Sequence, residues 1–135
     1  MVVVSRLVLL GDIQTAVDII NESGYYPCVS VIDFDDVDVY GVFKDKSLVG
    51  CAMVIHQGHR AYLDYLCIKA QHAGLGYAVR LLDFIAQDML ALGVTKVHAC
   101  VNGTNEAAAK LSSRYYAKVG FPYLNVLVNL EDCRG

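Results

Sequence analysis

The sequence predicts an α/β domain of the α+β kind, with a mixed, mostly antiparallel central sheet flanked by helices. Three observations predict it. Residues 37–68 hold three strand-like runs separated only by Asp45-Lys46-Ser47 and Gln57-Gly58-His59, the pattern of a hairpin meander. Residues 60–101 read strand, helix, strand, which implies a local parallel pair with a right-handed crossover. No repeat, low-complexity tract or linker interrupts the 135 residues, so 1–135 is expected to be a single domain around one core.

In chain order, 2–10 is rich in valine and leucine and reads as a buried first strand. Gly11-Asp12 breaks it, and Asp12 can cap a helix over 13–22 with Ala16, Val17 and Ile20 on one side. Gly24 ends that helix. Residues 25–36 are the least regular part, with Tyr25, Tyr26 and a run of acid that continues to Asp38. Strands are expected over 37–44, 48–56 and 60–68. A helix over 74–92 places Ala78, Leu81, Leu82, Ile85, Met89 and Leu92 on one stripe, and Gly93 stops it. A strand over 95–101 follows. Thr104 or Asn105 then caps a helix ending near Lys118, and 123–130 is the last strand. That apolar terminal strand could pair with a second subunit, giving a homodimer.

Bulk chemistry excludes several classes. A net charge of -3 opposes a general nucleic-acid binder, because a polyanion would be repelled. Cys28, Cys51, Cys67, Cys100 and Cys133 are scattered, mostly inside apolar runs, with no C-x-x-C spacing. They read as reduced core thiols in a cytoplasmic protein, and no metal is implied. The first apolar run is too short to span a bilayer and lacks a signal peptide's basic start, so no membrane partner is expected. In the acidic stretch Asp33, Asp35, Asp36 and Asp38 the calcium-loop spacing fails at Val37. A solvated loop is the plainer reading there, and attraction of a cationic amine the functional one.

The stretch with the most chemical content is Gln71-His72-Ala73-Gly74-Leu75-Gly76-Tyr77, between a strand and a helix. Glycines at a helix mouth leave backbone N–H groups uncovered at the positive end of the dipole, which suits a phosphate. A Walker loop needs Lys and Ser or Thr where Tyr77 and Ala78 stand. A dinucleotide fingerprint needs a small residue at Val79 and an acid about 20 positions on, near Lys96. The spacing of Gln71, Gly74 and Gly76 fits Q/R-x-x-G-x-G/A; the bland alternative is a junction needing glycine only for its turn.

Downstream, Tyr116, Lys118, Gly120 and Phe121 spell Tyr-x-Lys-x-Gly-Phe. The two motifs, in this order with one strand between them, resemble those of the GNAT superfamily, the acyl-coenzyme A-dependent N-acyltransferases. The resemblance runs from about residue 37 to 130. It departs at Gln71, where arginine is more frequent and where Lys69 could compensate, and at Asn105, farther upstream of the tyrosine than is usual. The resemblance implies acetyl-coenzyme A as co-substrate, its pyrophosphate on the loop Gln71, His72, Ala73, Gly74, Leu75, Gly76 and Tyr77. It also implies a pantetheine arm pairing with the backbone of Leu66, Cys67 and Ile68, Asn105 as a further coenzyme contact, and an amine-bearing acceptor, small molecule or protein.

Two side chains are candidates for the chemistry. Tyr116 shares its helical face with Ala109, Ser112 and Ser113, which leave room beside the ring; its phenol can give a proton to a departing thiolate. A core aromatic is the plainer reading. Asp64, in phase with Tyr62 and Leu66 on the strand before the glycine loop, is a mid-strand carboxylate. It is either an ion-pair member or a base with a raised pKa. His56 and His98 read as rim or core histidines, and Tyr25 and Tyr26 either line an acceptor pocket or cover the core. The expected activity is direct acetyl transfer to a primary amine in a ternary complex. The rival is an inactive coenzyme-binding or regulatory protein of the same fold.

Overall fold

The structure is a computed structural model that describes residues 1–24 and 37–94, together with the backbone of 96–99 and 124–125. Among these residues the strands β1 (Val2–Arg6), β2 (Asp38–Lys44), β3 (Ser47–Gln57), β4 (Arg60–Ile68), β5 (Lys96–Ala99) and β6 (Leu124–Asn125) form one sheet in chain order. The first four are antiparallel, whereas β4–β5 and β5–β6 run parallel. The expected meander and the expected parallel pair are both present. The helix proposed for 105–118 and nearly all of the proposed last strand lie outside the described residues.

The β2–β3 hairpin turns on two residues, Asp45 and Lys46, with φ of 49° and 73°. Both central residues are left-handed, the turn whose twist matches that of the flanking strands. The helices α1 (Leu10–Ser23) and α2 (Tyr77–Ala91) cover opposite faces of the sheet. Alternation along the strands sets this up: Val39, Cys51 and Met53 pack with Ala16, Val17, Ile19 and Ile20 of α1, while Tyr40, Ala52 and Val54 pack with Leu81, Leu82, Ile85 and Met89 of α2.

Three boundaries differ from the sequence expectation by three residues or more. One is the start of α2, at Tyr77 and not at 74, because Gly74 and Gly76 are left-handed, and Leu92, expected on its apolar stripe, is 48% exposed. β1 ends at Arg6, not at 10: its ladder with β2 stops at the Arg6–Tyr40 pair, Leu7 N–H adds one bond to Val39 O at 2.7 Å, and the chain then turns into α1. β1 is an edge strand of the described sheet with Val3 exposed, not the buried strand expected. Val8, Leu9 and Leu10 are consequently exposed. The helix then starts at Leu10, and its N-cap is Leu9 with no side-chain cap bond. Asp12 lies in the first turn, where its carboxylate meets the positive end of the dipole without acting as the cap.

α2 ends as its sequence requires. Gly93 is left-handed at φ 83°, its N–H bonds Leu90 O at 3.0 Å, and Val94 N–H bonds Met89 O at 2.9 Å. This pairing is a Schellman motif, and it returns Val94 to the core.

Candidate active site

The site is built on β4 and the loop that follows it. Along β4, Ala61 and Leu63 face α2, and so does Leu66, while Tyr65 and Cys67 face α1. The phase changes because the ladder is interrupted: Val54 pairs Leu63 and Ala52 pairs Leu66, so Asp64 and Tyr65 together stand opposite Met53. This is a β-bulge, which re-aims side chains and bends the strand. It corrects the expectation that Asp64 shares a face with Leu66. The described pairing of β4 with β5 runs from Arg60 to Leu63, and the bulge begins at the next residue.

Asp64 is half-buried, and no cation or hydrogen-bond donor reaches it among the described residues. Burial alone pushes its carboxyl above the usual range, since the charged form loses solvent. His56 is exposed at the opposite end of the β3–β4 hairpin, where its Nε2 lies 2.9 Å from Gly58 O. The imidazole is a rim group of that turn. The backbone of His98 pairs with Tyr62 in β5; its side chain lies outside the described residues, as do Tyr25, Tyr26, Asn105 and Tyr116.

After Ile68 the chain stays tied to the sheet by Lys69 N–H to Val49 O at 2.8 Å, then makes one 3-10 turn, Ala70–His72. Two left-handed glycines follow, Gly74 at φ 77° and Gly76 at φ 81°. A β-carbon would be strained at either, yet it would meet nothing within 4 Å, so the space over both is open. Gly76 is the N-cap of α2 and makes no side-chain cap bond; the helix has no acid in its first turn. The first-turn N–H groups are thus left for solvent or a ligand. Tyr77, 7% exposed, packs with Val42 and Val49 and anchors this mouth to the sheet. The His72 ring lies 6.2 Å from that of Tyr77, and its Nδ1 is buried with no partner among the described residues. Gln71, Ala73, Gly74, Leu75 and Gly76 are exposed, and Leu66, Cys67 and Ile68 run directly into this loop.

Among the described residues, open glycines, amides with no cap and a first turn without acid suit a diphosphate. No group of three or more metal-ligating side chains occurs among the described residues. No described helix is long and apolar enough to cross a membrane.

Sequence reasoning placed the loop but missed the bulge and Tyr77's anchoring role. The bulge had a signal, because the apolar positions Ala61 and Leu63 resume at Leu66 and Ile68, one residue out of step. Also missed was the link between Arg6, Tyr40 and Asp88, whose members stand up to 82 positions apart.

The comparisons with known proteins agree with this geometry. A model of the acetyltransferase (GNAT) family matches residues 14–121. No curated protein matches the chain in sequence. Among solved structures, the ribosomal-protein-S18-alanine N-acetyltransferase of Escherichia coli is 18% identical with a TM-score of 0.74, over 89% of this chain and 77% of that one. An aminoglycoside acetyltransferase from an uncultured soil metagenomic sample, in complex with trehalose, is 13% identical with a TM-score of 0.73, over 84% and 86%. The ribosomal-protein-alanine N-acetyltransferase of Brucella melitensis biovar Abortus 2308 is 17% identical with a TM-score of 0.73, over 84% and 89%. At these identities the likeness is one of fold.

Proposed function

The chain belongs to the acetyltransferase (GNAT) family, and from that premise we propose that it moves an acetyl group from acetyl-coenzyme A to a primary amine by direct attack in a ternary complex. The observation that carries this reading is the uncapped mouth of α2, with two left-handed glycines and open space above both. The backbone N–H groups from Gly74 to Tyr77 would hold the diphosphate. Leu66, Cys67 and Ile68, just past the bulge and beyond the described β4–β5 pairing, would offer backbone to the pantetheine arm and polarise the thioester carbonyl. Asn105 would add a coenzyme contact.

The amine forms the new C–N bond as the C–S bond breaks. The nitrogen loses its proton to Asp64, directly or through water, and the departing thiolate takes one from the Tyr116 phenol. Holding the two substrates together supplies most of the acceleration. Asp64 suits the role because its raised pKa brings it nearer the working pH of a base. The free, buried thiols of Cys51 and Cys67 support a cytoplasmic setting. The acceptor is a small-molecule or protein amine, and neither nucleic acid nor membrane is a partner.

The test is thioester consumption against a panel of primary amines. Acceptor-dependent release of the free thiol is expected; coenzyme binding with no release on any amine would favour the inactive, regulatory reading. In the same assay Tyr116→Phe is expected to lose about 10²- to 10⁴-fold in turnover while still binding coenzyme. Unchanged turnover would remove Tyr116 from the mechanism.

A further inference from the structure

Arg80 stands four residues beyond the N-cap of α2, and its backbone N–H bonds Gly76 O at 3.2 Å. Residues four apart share a helix face, and a helical side chain lies back over the turn N-terminal to its own Cα. The Arg80 side chain is exposed and stands on the helix face of Gly76, where a β-carbon would meet nothing within 4 Å, so that mouth is within its reach. It has no ion pair or hydrogen-bond partner among the described residues, although Asp83 is three residues further on the same helix.

A cation close to a helix N-terminus opposes the dipole and lowers stability unless an anion joins it. The chain handles its other described helix differently: α1 carries Asp12 in its first turn. Arg6 is likewise not left alone, lying 2.7 Å from Asp88 and 3.6 Å from Asp38. At the mouth of α2, by contrast, Gln71 is neutral, no carboxylate is in the first turn, and Arg80 is without a partner among the described residues.

We infer that Arg80 is the fixed positive charge of the coenzyme site and that its guanidinium binds the diphosphate from one turn inside α2. An anion seated on the Gly76 and Tyr77 amides lies between the dipole and this side chain, which turns an unfavourable placement into a favourable one. The planar guanidinium can grip two phosphate oxygens at once. This inference rests on the coenzyme A reading above and adds the residue that sets its electrostatic affinity.

Calorimetric titration of the full chain with coenzyme A and with 3′-dephospho-coenzyme A tests it, using wild type, Arg80→Gln, Arg80→Lys and, as a distant surface control, Arg60→Gln. Arg80→Gln is expected to weaken both ligands by about 10- to 100-fold, the range of a charged hydrogen bond. It is also expected to flatten the salt dependence of binding, while Arg80→Lys recovers part of the loss and Arg60→Gln changes nothing. Equal affinity of wild type and Arg80→Gln for coenzyme A would overturn the inference and leave the coenzyme site standing. A loss confined to coenzyme A, absent with the dephospho ligand, would overturn it too, because the arginine would then read the 3′-phosphate. Failure of the wild type to bind either ligand would remove the coenzyme site and Arg80's role together.

Discussion

At Asp64 stability and chemistry pull in opposite directions. Burial holds the carboxyl above the range it has in an unfolded chain, with no partner cation among the described residues to reverse the effect. The linkage has a definite sign: a raised folded pKa contributes stability below the unfolded pKa of about 4, lost as pH rises through the folded value. Ionisation of the side chain above those values therefore opposes folding. Asp64→Asn is expected to raise the melting temperature at pH 7 while cutting kcat/KM by about 10²- to 10⁴-fold and abolishing the acidic limb of the pH–rate profile. An unchanged acidic limb in the variant would show that another group, or water, takes the amine's proton. Asp64 was legible as an isolated carboxylate in an apolar strand; the face it occupies was not, because that depends on a register shift in the neighbouring strand.

Among the elements, the junction from β4 through the glycine loop to α2 carries the coenzyme reading, and its conformation rests on glycine. At Gly76, φ 81°, a side chain meets no steric neighbour, so the cost of Ala is conformational, about 1–2 kcal/mol. Gly76→Ala is expected to shift the denaturant midpoint by that amount and to weaken coenzyme binding by more than tenfold, since the helix mouth must change shape. Unaltered coenzyme affinity would mean that the loop is only a turn. This junction was readable because glycine spacing between two periodic segments has few structural uses. Helix ends were readable for a similar reason, and Gly24 and Gly93 both stop helices with φ near 80°. The start of α1 was misread because Asp12 is a good capping residue, whereas the helix begins at Leu10, before the expected cap. Its beginning follows from where the β1–β2 ladder stops, at the Arg6–Tyr40 pair, a long-range fact.

Across the whole molecule, one polar node joins the first strand to the second helix. Arg6 Nη2 lies 2.7 Å from Asp88 Oδ2, and the hydroxyl of the fully buried Tyr40 donates to the same oxygen. The Arg6 guanidinium lies 5.6 Å from the Tyr40 ring centroid. The Tyr40 hydrogen bond, with help from Arg6, holds the Asp88 carboxyl below the usual range. A depressed pKa contributes stability above the unfolded value of about 4 that is lost as pH falls through the folded one. Asp88→Ala is expected to cost about 1–3 kcal/mol at pH 7, by removing the acceptor of the Tyr40 O–H and the carboxylate beside Arg6, and the difference from wild type is expected to narrow below pH 4. A gap independent of pH would show that packing, not charge, is what Asp88 contributes. No local pattern announces this node, since its members belong to three elements brought together only by folding. The hairpin meander, the parallel β4–β5 pair and most of the apolar stripe of α2 were legible among the described residues, whereas the place of β1 beside β2 was not, because it rests on a long-range pairing. The central claim is that the mouth of α2 holds a coenzyme's diphosphate, and calorimetric titration of the full chain with coenzyme A tests it most directly. Saturable heat at one site per chain, with a matching rise in melting temperature, is the expected result; neither heat nor thermal protection would contradict it.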